Sequence, residues 1–394
     1  MIDEVMPTYA RTSMGFEKGD GCWLYGTDGK KYLDAGAGIA VNSLGHSNPQ
    51  LVEALVDQAE KVWHTSNLYR IPKQEELASL LVQNTFADTV FFTNSGAEAV
   101  ECTVKVIRKY WDQVGNLERN EIITFQNSFH GRTLGMISAA GGEKLTKGFG
   151  PLLPGFVQVE AARIESITEA LSEKTAAVLV EPVLGEGGII PLPDKYLKEL
   201  RALCDEEGIL LALDEIQCGM GRTGKLFAHE WSRITPDIMA IAKGIGGGFP
   251  LGACLATEQA AQGMTAGTHG STYGGNPLAC AVGCKVITTI ANDTFLSNVR
   301  NSSRWLRQQI ESVIATYPDI FSEVRGEGLM LGLKCKVSNM DVVNSCYEQQ
   351  LLTVPGGDNV VRILPPLTIS QEELHLLTKK LEKAASNLEE KGNA

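Results

Sequence analysis

Ile238–Pro250 reads IMAIAKGIGGGFP. An apolar run of strand length ends in Lys243, and a cluster of glycines follows at once. Such a lysine is either a surface residue whose stem lies along the protein or an amine set into a pocket. For a lone lysine the surface is the commoner place. The rest of the chain decides between the two.

Outward from this stretch, short β-rich runs alternate with helical ones. Val90-Phe91-Phe92 precedes a helical run from Ala97 to Trp111. Ile122–Phe125 leads into a loop. Ala176–Val180 is followed by a glycine loop and a helical Lys195–Glu207 that stops at Gly208. Ile209–Leu213 and Ile238–Ala242 read as two further strands. Alternation of this kind predicts an α/β fold, a mainly parallel sheet covered by helices on both faces. A helical stretch over 277–316 leads out of it, and the residues from Phe321 onward read as a smaller α+β domain. The expected division is an N-terminal segment, 1–60, that joins the small domain, a large domain over 61–285, and a small C-terminal domain over 286–394.

Composition narrows the function. The 394 residues carry a formal charge of −12, which disfavours nucleic acid as the main partner, since phosphate contacts need a basic face. The six histidines show no metal-ligand spacing and the nine cysteines no C-x-x-C pair. The expectation is reduced thiols and no metal. Met1–Pro7 is acidic without an apolar core, and no run is long enough to span a membrane, so the expected compartment is the cytoplasm.

Each sheet strand delivers something polar at its C-terminal end: Ser95-Gly96-Ala97-Glu98, then Phe129-His130-Gly131-Arg132, Glu181, Asp214 and Lys243. In open α/β sheets ligands bind beyond that edge. Ser95 and Glu98 fit a capping box, and the same helix start offers free amides to an anion such as a phosphate. Asp214 follows a strand too apolar to be an edge, so its charge needs a cation or a protonated ring nitrogen. An amine in a half-buried pocket is shifted toward its neutral, nucleophilic form, and the glycines after Lys243 let the backbone approach a ligand. A phosphate cradle, an acid for a pyridinium nitrogen and a Schiff-base lysine are what pyridoxal 5′-phosphate (PLP) requires.

Gly219-Met220-Gly221-Arg222-Thr223-Gly224 also matches the dinucleotide pattern G-x-G-x-x-G. Lys225–Trp231 gives no clear helix start, however, and Lys243 stands about where an acid should meet the ribose.

TNSGAEA (93–99), FHGRT (129–133), LDEIQCGMGRTG (213–224), AKGIGGGFPLGA (242–253) and GSTYGGNPLA (270–279) together resemble the class III (subgroup II) PLP-dependent aminotransferases. The resemblance covers nearly the whole chain. It implies fold type I, with a seven-stranded sheet in the large domain, and a homodimer with shared sites. At matching positions it implies that Lys243 forms the Schiff base with PLP and moves the proton, and that Asp214 pairs with the pyridine nitrogen. Gln217 is implied near the ring hydroxyl, Ile216 behind the ring and Phe129 stacked in front. Gly96 and Ala97 would hold the phosphate, completed by Thr272 from the neighbouring subunit, with Ser271 close to the substrate.

MPTYAR (6–11), GIAVNSLGHSNP (38–49) and VWHTSNLY (62–69) narrow the resemblance within that family, and it implies N2-acetyl-L-ornithine as donor, whose δ-amino group would pass to 2-oxoglutarate. Ornithine, succinylornithine, N-succinyl-diaminopimelate and 4-aminobutyrate remain alternatives. Carboxylate substrates suit the planar fork of arginine. Arg132 resembles the arginine for the distal carboxylate and Arg362 the one for the α-carboxylate of glutamate. Glu186 resembles the acid that pairs with that second arginine while an ω-amine is bound. Leu184, and LYRIPKQ (68–74), depart from the commoner family pattern.

Overall fold

The computed structural model describes residues 4–392; the outermost residues of the expected first and last segments lie outside them. Its centre is a seven-stranded sheet built from β1 (Thr89–Thr93), β2 (Glu121–Phe125), β3 (Phe156–Val159), β4 (Thr175–Val180), β5 (Leu210–Asp214), β6 (Ile238–Ile241) and β7 (Gly252–Ala256). The spatial order is β1-β7-β6-β5-β4-β2-β3. β7 runs antiparallel to both its neighbours, and the remaining pairs are parallel. The five runs read as strands are all present. The sequence pattern had not isolated β3 or β7.

The central strands are unbroken apolar runs because both faces are covered. Val178, Leu211, Leu213 and Met239 pack with Leu197, Leu200 and Cys204 of the helix Asp194–Glu207. Their neighbours Ala177, Leu179, Ala212 and Ile238 face Ala99, Val100 and Ile107 of the helix Gly96–Gln113. With β1 parallel to the rest, six of the seven strands end on one edge.

The helical stretch expected over 277–316 is two helices, Pro277–Ile290 and Asp293–Thr316. Asn292 caps the second, accepting from the amides of Thr294 and Phe295 at 2.9 and 3.2 Å. Beyond them lies a four-stranded sheet of Phe321–Glu327, Met330–Cys335, Val360–Ile363 and Val354–Gly356. An N-terminal meander ends in Lys31–Asp34, which pairs in parallel with Leu351–Leu352. The two ends of the chain thus share one sheet.

The glycine-rich stretch 219–224 is a buried series of turns with no helix of dinucleotide-cradle length after it. Arg222 is buried there and donates to the carbonyls of Leu329 and Pro365, while its own carbonyl accepts from the Leu329 amide at 2.9 Å. The segment fastens the large sheet to the C-terminal sheet. All nine cysteines are buried free thiols.

Candidate active site

The ends of β1, β2, β4, β5 and β6 surround a cavity of about 450 Å³. Ser95, Gly96, Ala97, Phe129, His130, Arg132, Glu181, Asp214, Ile216, Gln217 and Lys243 all line it.

Lys243 opens a 3-10 turn with a left-handed φ of 47°, a conformation that costs a non-glycine residue energy and marks functional positions. The turn is tied down by the Ser43 hydroxyl, which donates to the Gly244 carbonyl at 2.9 Å. A Cβ on residue 244 would lie 2.8 Å from Met220 Cβ, so only glycine fits. Burial lowers the Lys243 pKa; Glu186 opposes the shift and Arg362 adds to it. Its amine is therefore more readily neutral than a surface lysine.

Asp214 ends β5. One carboxylate oxygen accepts the Ile216 amide at 3.1 Å; the other meets His130 Nδ1 at 2.8 Å. Burial alone would favour neutral imidazole, but the bond to Asp214 outweighs it and the His130 pKa rises. Glu181 follows Val180, the last residue of β4, whose register partner on β5 is Leu213, next to Asp214. It accepts the amides of Phe129 at 2.7 Å and Gly185 at 3.1 Å. Burial, then the Asp214 charge, push its pKa up to about 7. His130 and Glu181 belonged to quoted strand-end motifs, but nothing in the sequence assigned them roles. Position at a strand end was the one available signal.

At the helix start, Ser95 Oγ accepts the Glu98 amide at 3.3 Å, while the Glu98 carboxylate takes the Asn94 amide at 2.7 Å. The reciprocal cap is thus shifted one residue outward from the simple box. The first-turn amides of Gly96 and Ala97 have no intrahelical acceptor and line the cavity.

These residues fit PLP. A Cβ on Gly96 would lie 2.9 Å from Ile216 Cδ1 and narrow the cradle. Gln217 Oε1 is buried without a partner among the described residues. Asp214 and Lys243 supply the acid and the amine that the cofactor needs.

Arg132 is exposed at the mouth, its guanidinium 5.6 Å from the Phe129 ring centroid. Arg362, on the C-terminal sheet and 2% exposed, is ion-paired with Glu186 and donates to the Pro355 carbonyl at 2.9 Å. Arg362 and Glu186 stand outside the ring of lining residues. Ser271 and Thr272 also lie outside it, on a loop over 265–276 held by Asn67, which donates to the Ser271 and Gly274 carbonyls at 3.0 and 3.1 Å. Thr272 is exposed, as are Trp63, Leu68, Tyr69 and Tyr273 around it.

A phosphate cradle, an acid and a lysine at the C-terminal edge of a seven-stranded sheet define a PLP-dependent enzyme of the α/β class. Comparison with known proteins refines this. The aminotransferase class-III family profile matches residues 6–385, and the chain belongs to that family, which depends on PLP. It is 58% identical to the acetylornithine aminotransferase of Rhodobacter capsulatus, over 99% of both chains. Among solved structures, it resembles N-acetylornithine aminotransferase from Stenotrophomonas maltophilia with a TM-score of 0.85 and 37% identity, over 96% of this chain and 97% of that one. It also resembles the ornithine aminotransferase of Toxoplasma gondii with a TM-score of 0.95 and 31% identity, over 98% and 94%.

Proposed function

We propose that this chain transfers the δ-amino group of N2-acetyl-L-ornithine to 2-oxoglutarate, giving N-acetyl-L-glutamate 5-semialdehyde and L-glutamate, a step of arginine biosynthesis. One observation carries the preference for an ω-amine: Arg362, the natural holder of an α-carboxylate, is covered by Glu186. A donor that brings its terminal amine forward has no carboxylate near the reacting carbon and leaves that pair intact. Glutamate does have one, and Glu186 must then move aside. The names of the relatives support the acetylated donor.

The roles of the chain's own groups follow. When bound, PLP supplies an electron sink for the carbon that bears the amine. Lys243 would anchor the cofactor, and its Nζ would take the proton from the amine-bearing carbon and hold it for return. Its lowered pKa makes the amine more readily available as a base than a surface lysine. Asp214 would keep the pyridine nitrogen protonated, and His130 holds the Asp214 carboxylate in place. Phe129 and Ile216 would confine the ring, Gly96 and Ala97 would hold the phosphate through their amides, and the unpartnered Gln217 Oε1 would be available to the ring hydroxyl. Arg132 takes the distal carboxylate of either substrate.

The reading includes a homodimer in the cytoplasm. Thr272 of one subunit would complete the phosphate site of the other, with Ser271 near the substrate; the exposed apolar residues around Thr272 support a covered face. Nine unpaired thiols suit a reducing compartment. Among the described residues no helix is long and apolar enough to cross a membrane.

The test follows the visible absorption of the purified holoenzyme while each donor is added separately. N2-acetylornithine is expected to bleach the yellow band at the lowest concentration, and 2-oxoglutarate to restore it. Lys243→Ala is expected to slow the step at least about 1000-fold. A stronger response to ornithine, N-succinyl-diaminopimelate or 4-aminobutyrate would keep the mechanism and replace the substrate.

A further inference from the structure

Glu181 takes part in none of these steps, yet it is 5% exposed and lines the cavity beside Asp214 and His130. It follows directly on Val180, the end of β4, a strand whose residues are all buried. Its two oxygens are divided between two loops: one accepts the amide of Phe129, the other the amide of Gly185. Phe129 belongs to the loop after β2. Gly185 immediately precedes Glu186, the residue that covers Arg362.

The turn that bears Glu186 is seated closely. A Cβ on Gly185 would lie 2.7 Å from Gln217 Cδ, and one on Gly187 would lie 2.8 Å from the Asn127 carbonyl. Farther along, the Glu186 carbonyl accepts the Gly357 amide at 3.0 Å. At its start the turn is held by the Glu181 carboxylate. Only a group that accepts through both oxygens can hold two amides at once; a primary amide offers one oxygen and turns a donor toward the second N–H.

We infer that Glu181 is a positioning residue that sets where Glu186 rests: by binding the Gly185 amide to the same carboxylate as the Phe129 amide, it keeps Glu186 over Arg362 and so sets the discrimination between ω-amine and α-amino acid donors. The inference rests on the Glu186–Arg362 reading under Proposed function.

The test compares holoenzyme carrying Glu181→Gln, Glu186→Ala or both. Single-turnover kcat/KM is measured with N2-acetylornithine and with L-glutamate, and the affinity for glutarate by calorimetry. Glutarate probes the exposed arginine without chemistry. Glu181→Gln is expected to shift the donor ratio toward glutamate by about tenfold, the equivalent of one buried hydrogen bond, and to tighten glutarate several-fold. In the Glu186→Ala background it should add nothing, because both changes act on one element. Equal losses with both donors and unchanged glutarate affinity would mean a merely structural carboxyl and overturn the inference, as would full additivity. If Glu186→Ala itself leaves the donor ratio unchanged, the Glu186–Arg362 reading falls; if it shifts the ratio and Glu181→Gln does not, only the role of Glu181 falls. Should Glu181→Gln not fold, Glu181→Asp, too short to reach both amides, is expected to give the same shift in ratio.

Discussion

At Glu181 two opposing effects meet. The His130 charge and the bonds to the Phe129 and Gly185 amides favour the carboxylate, while burial and the Asp214 charge favour the acid and prevail. The pKa is raised on folding, so the stabilising contribution is complete below the ordinary carboxyl range and is lost as pH rises through about 7. The expected outcome is that wild type loses up to about 3 kcal/mol relative to Glu181→Gln between about pH 5 and about pH 8. Denaturant midpoints at the two pH values measure it, and parallel profiles would refute it. Lys243 and Asp214 were legible because each breaks an apolar run at a strand end. Glu181 and His130 share that position, but their character depends on one another and on Asp214, which strands distant in sequence bring together. Proximity of that kind has no local signature.

The helix Gly96–Gln113 joins cofactor binding to stability. Ser95 caps it, Glu98 secures the turn before it, and the amides that remain free face the cavity. Ser95→Ala is expected to cost about 1 kcal/mol of unfolding free energy, measured by denaturation of the cofactor-free protein; a change below about 0.3 kcal/mol would show that Glu98 alone suffices. Sequence located this start correctly because caps are short-range features. It missed the break at Ala291–Asn292, since the apolar period continues across it, and it missed β7, because GACLA is a strand only through its pairing with β1 and β6. The glycines over 219–224 match a nucleotide motif by spacing alone; their purpose, a turn that carries Arg222 to the C-terminal sheet, depends on tertiary partners.

For the whole molecule, the exposed position of Thr272 bears on how sites are built. If each site takes Thr272 from its neighbour, Lys243→Ala and Thr272→Ala damage opposite members of a pair. Subunits of the two variants, unfolded together and refolded, are expected to regain roughly a quarter of the native sites, those pairing an intact Lys243 with an intact Thr272. Cofactor retention and turnover would rise together above the unmixed variants. No gain on mixing would mean that Thr272 serves its own chain, or no site. The one antiparallel strand of the seven-stranded sheet carries a consequence for synthesis. β1 meets its one partner only when Gly252–Ala256 has been made, long after Thr89–Thr93. Until then the edge of β1 offers unpaired backbone to any passing strand, and a contact so distant along the chain forms slowly. A nascent chain interrupted between these two segments is therefore the species most in need of a chaperone.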